Sequence, residues 1–487
     1  MILWLRKVYL DHNATTPLAA PVRKAMNRAM HNRWGNPSSL HTVGRQARGT
    51  VDSARKEIAD MLNCAPEQLT FTSGGTEGNN AVIKGIFGKT GKGHIVTTKI
   101  EHESILGACS QVEALGGTVT YLSAGMDGRV RVEDIKQAIR PDTILVSVMH
   151  ANNETGAIQP VGEIAALCAA SKIPFHTDAV QSFGKIPIDV QKLNCDYLTL
   201  NAHKINGPKG IGAIYQRHPK SLLPLIFGGD QELGQRAGTE GVHQIAGLAA
   251  AVKLKRHSMT AEFQRMKDLR GEFLSSLKKE IPEIIVNEAA EEHQMPGSIN
   301  ITFPGHQGIT LLAGLDCYCI GVSIGSACTA DRITPSHVLL GMGLSEDAAL
   351  STIRISMGIN TSRADMVYTA KVLKKIVSEK MTGFEYLDPQ HLTQERINSP
   401  DVFLIDLRFP YERMLSPSIP SAVEWSHILF ERYIRKIPRD KEVIMMCGTG
   451  IFSTMTGYRL ASSGHPRVKV VFGGYAAWRG LYHTPGA

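Results

Sequence analysis

Short apolar runs alternate with stretches of helical spacing along the first two hundred positions. Leu69-Thr70-Phe71-Thr72, Gly93-His94-Ile95-Val96-Thr97 and Thr118-Val119-Thr120-Tyr121-Leu122 read as strands, as do Thr143-Ile144-Leu145-Val146-Ser147-Val148 and Ile173-Pro174-Phe175-His176-Thr177-Asp178. Helical periodicity fills the gaps between them and also the segment from Pro21 to Leu62, broken at Trp34-Gly35-Asn36-Pro37. Strands that are apolar on both faces and separated by helices predict an α/β fold with a mainly parallel central sheet covered on both sides. Ligands on such sheets gather at the C-terminal ends of the strands. A charged amphipathic stretch from Ala250 to Lys279 leads into a smaller α+β region that ends near Lys380. The pattern breaks at Met381-Thr382-Gly383-Phe384-Glu385-Tyr386, and a second, smaller α/β pattern follows. Its apolar runs are Val402–Asp406, Glu442–Cys447 and Val468–Phe472. The expected division is therefore 1–380, a linker over 381–389, and a small α/β domain over 390–487.

A chain of 487 residues is too long for one core, and 43% hydrophobic with 20% charged residues is ordinary for a globular protein. No apolar run is long enough to span a bilayer. Met1-Ile2-Leu3-Trp4-Leu5 is too short for a signal-peptide core, and Arg6 and Lys7 follow it instead of preceding it. The chain is thus expected to be cytoplasmic, without a membrane partner. Its eight cysteines lack paired spacing, and Cys317-Tyr318-Cys319 has no matching second pair, so neither a disulfide framework nor a metal site is expected. The net charge of +8 is spread without a basic tract. It reads as a solvated face and not as a nucleic-acid surface.

Candidate chemistry sits at the predicted strand ends. The apolar run Tyr197-Leu198-Thr199-Leu200 enters Asn201-Ala202-His203-Lys204-Ile205-Asn206-Gly207-Pro208, a loop where Lys204 can be desolvated. Desolvation lowers an ammonium pKa and makes the amine a nucleophile toward an aldehyde such as that of pyridoxal phosphate. Ser73-Gly74-Gly75-Thr76-Glu77-Gly78-Asn79-Asn80 follows a strand and opens a helix, which suits a phosphate, though a plain turn with an N-cap at Thr76 looks the same. Asp178 ends another strand, where a carboxylate either caps the turn or keeps a pyridine nitrogen protonated. His102 follows a third and is either structural or able to stack on a flat ring. Singly these are weak; together, in this order after successive strands, they make one strong signal, and a pyridoxal-phosphate site is expected.

The chain from Val8 to about Met366 resembles the cysteine desulfurases, in the class V branch of the aminotransferase-fold (fold type I) pyridoxal-phosphate enzymes. The resemblance is carried by Tyr9-Leu10-Asp11-His12-Asn13-Ala14-Thr15-Thr16-Pro17, the Ser73–Asn80 loop and Glu101-His102-Glu103-Ser104. It continues through Asn152-Asn153-Glu154-Thr155-Gly156, Asp178-Ala179-Val180-Gln181, Ala202-His203-Lys204 and Arg236-Ala237-Gly238-Thr239-Glu240, and ends with Gly325-Ser326-Ala327-Cys328 and Ile353-Arg354-Ile355-Ser356. It implies Lys204 as Schiff-base lysine and general base, His102 as the stacking residue and Asp178 as the pyridinium partner. Gln181 would bond the ring hydroxyl, Gly75, Thr76 and His203 would cradle the phosphate, and Thr239 would reach the phosphate of a neighbouring subunit in a homodimer. Asn153 and Arg354 would hold the carboxylate of L-cysteine. Two positions depart from the family pattern: Asn201 replaces Ser or Thr in the phosphate cradle, where a carboxamide can still donate, and His12 replaces Tyr.

Cys328 lies in the small-residue loop Ser323–Ala330, where it matches the family's persulfide-forming position, with a long stretch following it to Leu339. On this reading the sulfur of cysteine passes to Cys328 and alanine is released. Near the C-terminus, Cys447-Gly448-Thr449-Gly450-Ile451-Phe452-Ser453 joins a strand to a helix, a loop form that turns N–H groups toward a cysteine sulfur. With Ile405-Asp406-Leu407-Arg408 before it and Gly473–Trp478 after it, the segment resembles a rhodanese domain. Phe452 stands where that family has Arg, and Ser416–Ala422 replaces its usual Gly-His-Ile-Pro-Gly-Ala. Sulfur relay from Cys328 to Cys447 is expected, with a degenerate docking module as the alternative reading of the C-terminal domain, and onward transfer to an iron–sulfur scaffold or a sulfur carrier. The competing readings are a selenocysteine lyase, another class V lyase or aminotransferase, and a non-catalytic assembly subunit.

Overall fold

The computed structural model describes residues 7–325, 327–328, 333–378, 384–416, 418–419 and 421–482. Seven strands form the central sheet, in the spatial order Leu69–Thr72, Gly212–Gln216, Tyr197–Asn201, Phe175–Asp178, Thr143–Ser147, His94–Thr98, Thr118–Leu122. Only Gly212–Gln216 runs antiparallel to its neighbours, because a tight loop after Lys204 returns it beside the strand it has just left. The strands are buried on both faces except the edge strand Thr118–Leu122, as their unbroken apolar runs required.

One face is covered by helices Ala20–Asn32 and Thr42–Leu62 and by the start of a 39-residue helix, Val242–Glu280. Gly75–Thr90 and Glu103–Ala114 cover the other face. The long helix begins two turns before the amphipathic stretch seen in the sequence. Its first turns bury Val242, Ile245 and Leu248 within a run of small residues that blurs the polar face. A second core surrounds the antiparallel strands Thr352–Ser356, Ser298–Thr302 and Ile285–Val286. The N-terminal segment belongs to this second core, since Val8–Tyr9 pairs in parallel with Ile320–Gly321.

The C-terminal region is a five-stranded, fully parallel sheet ordered Glu385–Leu387, Val468–Val471, Glu442–Met446, Val402–Asp406, Val423–Glu424. The segment expected to be linker, 381–389, supplies the first of these strands. Three residues are too few to show alternation, and the strand is recognisable only from its partner Lys469–Val471. Its Tyr386 also joins the two parts of the chain, with its hydroxyl 3.0 Å from Thr310 Oγ1 and 3.4 Å from Thr454 Oγ1. Helix Ile451–Ser462 lies along helix Gly308–Cys317, and Arg459 pairs with Asp316 at 2.6 Å. Thr310 opposite Thr454 together with Asp316 opposite Arg459 makes the two helices run in the same direction. Among the described residues no helix is long and apolar enough to cross a membrane.

Candidate active site

Five strand ends deliver their loops to a cavity of about 390 Å³ at the C-terminal edge of the central sheet. Gly75, Thr76, His102, Asn153, Asp178, Gln181, Asn201, His203, Lys204 and Arg354 all line it. Of the residues expected at the cofactor and substrate, Thr239 is exposed elsewhere on the chain and the Cys328 side chain lies outside the described residues.

Lys204 is fixed by two backbone acceptors, with Nζ donating to the Asn13 carbonyl at 2.5 Å and to that of Ala14 at 2.9 Å. Burial, and then the nearby Arg354 charge, pull its ammonium down to about 8, against the opposing pull of Asp178 and Asp11. Asp178 is buried and doubly held: Asn79 Nδ2 donates to Oδ2 at 2.7 Å and the Val180 amide to Oδ1 at 2.9 Å. His102 caps helix Glu103–Ala114 through Nδ1, 3.1 Å from the Ser104 amide and 2.8 Å from its hydroxyl. Burial lowers the His102 pKa and brings His203 to about 4, so both rings are neutral near pH 7.

The start of helix Gly75–Thr90 suits a phosphate, because its first amide groups have no partner within the helix. Gly74 sits at φ +155°, and a side chain at position 75 would meet Val180 at 2.8 Å, so only glycine leaves this space open. Glu77, the one acid in the first turn, is turned away toward Arg236 at 3.0 Å and the Ser73 amide at 2.8 Å. Asn201 keeps Nδ2 toward Gly74 while Oδ1 accepts from the His203 amide at 3.3 Å. The carboxamide thus presents a donor where the family has a hydroxyl. On the far side, Arg354 is 7% exposed. Its Nη2 meets Asp11 at 2.8 Å and its Nη1 the Asn153 carbonyl at 3.3 Å, while Nε has no partner among the described residues. A buried donor with no acceptor is costly unless a bound anion supplies one. A phosphate cradle, a neutral imidazole, a fixed carboxylate and a nucleophilic amine around one cavity fit pyridoxal phosphate, and Arg354 leaves room for a carboxylate beside it.

Two residues that the sequence did not single out organise this site. Asn79 bridges Asp178 to the Ser104 hydroxyl at 2.8 Å. Asn13 receives Lys204 on its carbonyl while its side chain reaches Ser298 Oγ at 2.8 Å. Both lie inside the motifs quoted above, but their partners are far away in the chain. His12 is buried against Gly358, and burial brings its imidazole to about 4.

The backbone of Ala327–Cys328 pairs antiparallel with Ile333–Thr334; the side chain of Cys328 is not among those described. In the C-terminal domain Cys447 is buried at a strand end, and its Sγ accepts from Ser453 N at 3.4 Å and Ser453 Oγ at 3.5 Å. Phe452 stacks on His427, with ring centroids 4.0 Å apart, and meets Phe409 edge-on at 5.5 Å. Arg408 serves elsewhere, paired with buried Asp406 at 2.8 Å and seated over the Tyr475 ring at 3.8 Å. An aromatic cluster thus replaces the guanidinium that would hold thiosulfate.

The sheet and its strand-end cavity define an aminotransferase-type α/β enzyme, and residues 8–368 match the model of the class-V aminotransferases. The chain belongs to that family and carries a rhodanese-like domain at residues 390–481. A protein of Dictyoglomus turgidum named cysteine desulfurase IscS is 42% identical over 383 residues, which is 78% of this chain and 97% of that one. The mitochondrial cysteine desulfurase of Arabidopsis thaliana is 40% identical over 77% of this chain and 83% of its own. A solved NifS-like protein superposes with a TM-score of 0.72 at 34% identity, covering 77% of this chain and all of that one. The structure of SspA in complex with cysteine gives 0.63 at 37% identity, over 72% and 99% of the two chains.

Proposed function

We propose that this protein is a pyridoxal-phosphate-dependent cysteine desulfurase that converts L-cysteine to L-alanine and leaves the sulfur as a persulfide on Cys328. The observation that carries the reading is Lys204, its ammonium lowered to about 8, in one cavity with Asp178 and with the incompletely partnered Arg354. Bound pyridoxal phosphate supplies an aldehyde for an amine and a ring that withdraws electrons from the attached amino acid. The chain's own residues do the rest. Gly75, Thr76, Asn201 and His203 would hold the phosphate, His102 would stack on the ring, and Asp178 would keep the ring nitrogen protonated. Gln181 would donate to the ring hydroxyl. Arg354 and Asn153 take the substrate carboxylate, and Lys204 removes the α-proton. The Cys328 thiolate then attacks the substrate sulfur; an S–S bond forms as the carbon–sulfur bond breaks.

Arg354 offers a planar fork that a lysine cannot reproduce. Each charge-assisted hydrogen bond contributes about 1.5–3 kcal/mol. Arg354→Met should therefore lower kcat/KM for cysteine about a hundredfold or more, and Arg354→Lys should recover only part of it. Steady-state alanine release measures both.

Cys447 is the next stop for the sulfur on this proposal. The Ser453 amide and hydroxyl beside its sulfur suit an anionic thiolate or persulfide. Transfer exchanges one S–S bond for another and needs no oxidant, and an iron–sulfur scaffold or sulfur-carrier protein would be the final acceptor. Exposed Thr239, with Leu223, Ile226 and Phe227 on the same exposed stretch, fits a homodimer in which Thr239 completes the partner's phosphate site. The test is incubation with cysteine, mass spectrometry of both cysteines, and alanine and sulfide assays. Wild type should carry persulfide at both positions and Cys447→Ser only at Cys328. A Cys328→Ser protein that still loads Cys447 would end the relay, and faster turnover of selenocysteine than cysteine would favour the lyase reading.

A further inference from the structure

Beneath the cofactor cavity lies a smaller one of about 40 Å³, sharing Asn13 and Lys204 with it and lined also by His12, Lys185, Lys255 and Glu262. Lys255 pairs with Glu262 at 2.5 Å. Lys185 is half-buried and bonds to carboxamides, with Nζ donating to Gln181 Oε1 at 3.0 Å and to Asn13 Oδ1 at 3.4 Å. Burial, then Lys204, Lys255 and Arg354, press its ammonium down to about 7. A group that costs stability in this way calls for a role.

A carboxamide has a donor end and an acceptor end of nearly equal shape, and its partners decide which faces where. A lysine nitrogen has N–H groups to donate whether it is charged or neutral, and a carbonyl only accepts. Gln181 is therefore held at both ends: Oε1 by Lys185, and one N–H of Nε2 by the Asn13 carbonyl at 2.9 Å. The remaining N–H is left for the cofactor cavity, which Gln181 lines. The hydroxyl of pyridoxal phosphate neighbours the carbon that bears its aldehyde, on the side away from the phosphate. Gln181 meets Lys204 on the same Asn13 carbonyl, away from the Gly75–Thr76 cradle, so the ring hydroxyl falls to it.

We propose that Lys185 is a positioning residue, which locks the Gln181 carboxamide with its donor toward the cofactor's ring oxygen. This rests on the desulfurase reading above. A donor at that oxygen stabilises its anionic form and makes the nitrogen that joins Lys204 to the cofactor less basic. Without Lys185 only the Asn13 carbonyl holds the amide, which then turns its oxygen inward more readily, and that nitrogen becomes more basic.

The test is the pH at which the visible absorbance of the purified holoenzyme switches between its two forms. It is measured for wild type, Lys185→Met, Gln181→Leu and the double variant. Lys185→Met should raise the midpoint by about one pH unit, a tenfold change in the equilibrium. Gln181→Leu should raise it similarly, and adding Lys185→Met to it should change nothing further, because the lysine acts through the amide. Equal shifts in both backgrounds would mean that the lysine's charge acts directly through space, and would overturn the proposal, as would no shift at all. Lys185→Met should also melt no lower than wild type, since a desolvated ammonium has been removed. A lower melting point, or failure to take up cofactor when Gln181→Leu succeeds, assigns Lys185 a structural role and refutes the positioning one. Failure of the desulfurase reading shows separately: the wild type would then have no visible band that Lys204→Ala abolishes.

Discussion

Lys204→Ala is expected to give a folded protein that stays colourless with pyridoxal phosphate and releases no alanine from cysteine. The lysine has two tasks in the proposed reaction, as the covalent anchor of the cofactor and as the base that moves the α-proton. Proton transfer by a positioned side chain alone contributes about 10²–10⁴ in rate. Losing the anchor as well should bring turnover down by about 10⁴ or more. The fold should tolerate the change, because the Asn13 and Ala14 carbonyls that Lys204 occupies lie on a solvent-connected cavity. Equal loss in Lys204→Arg, which keeps the charge, would assign the effect to the amine. The lowered pKa also sets a pH dependence. An amine with pKa about 8 is neutral in roughly a tenth of molecules at pH 7, against about one in three thousand at the ordinary lysine value. Cofactor uptake by the apoprotein should therefore level off above about pH 8 and slow about tenfold per unit below pH 7. Stopped-flow absorbance measures this. Uptake that keeps rising to pH 10 would mean the amine is not desolvated.

The sequence exposed the parts of this site that sit at the ends of long buried strands. Those strands are continuous apolar runs, so a polar residue at the end of one, such as Asp178 or Asn201, stands out. The residues that hold these groups in place were not legible. Asn79 and Asp178 are 99 positions apart, and Asn13 and Lys204 are 191 apart, so each pairing exists only once the sheet has brought the loops together. Lys185 was invisible for a related reason. A lysine four positions after a glutamine usually reads as surface charge, and only the turn through Gly184 at φ +70° tucks it beneath Gln181. The strands Glu385–Leu387 and Val423–Glu424 were missed because they are too short to show a period and owe their form to longer neighbours. Nor does anything in the local pattern of Asp316 or Arg459 announce that their helices lie against each other. The chemistry was written locally and its supports were not.

Cys328→Ser should separate the two halves of the proposed reaction. The variant is expected to take up the cofactor and bind cysteine as wild type does, and to release alanine and sulfide at less than about a thousandth of the wild-type rate. A thiol is a few per cent thiolate at neutral pH and intrinsically nucleophilic, whereas a serine hydroxyl without an adjacent base is neither ionised nor reactive toward sulfur. Nothing upstream of the attack needs the thiol. Lys204 still lines the same cavity as Arg354, and Arg354 still has a buried N–H to offer the carboxylate. Cysteine in heavy water should therefore exchange its α-hydrogen for deuterium on Cys328→Ser while keeping its sulfur, a result that mass spectrometry of the recovered amino acid reads directly. Cys447→Ser should do the opposite: with a reductant to clear the Cys328 persulfide it should release alanine at close to the wild-type rate, because its cysteine enters only after the carbon–sulfur bond has broken. If Cys328→Ser neither exchanges the α-hydrogen nor binds cysteine, the thiol is part of the binding site and not the sulfur acceptor. If it exchanges the hydrogen and also releases sulfide, another nucleophile takes the sulfur, and the order of transfer from the desulfurase domain to the rhodanese-like domain must be redrawn.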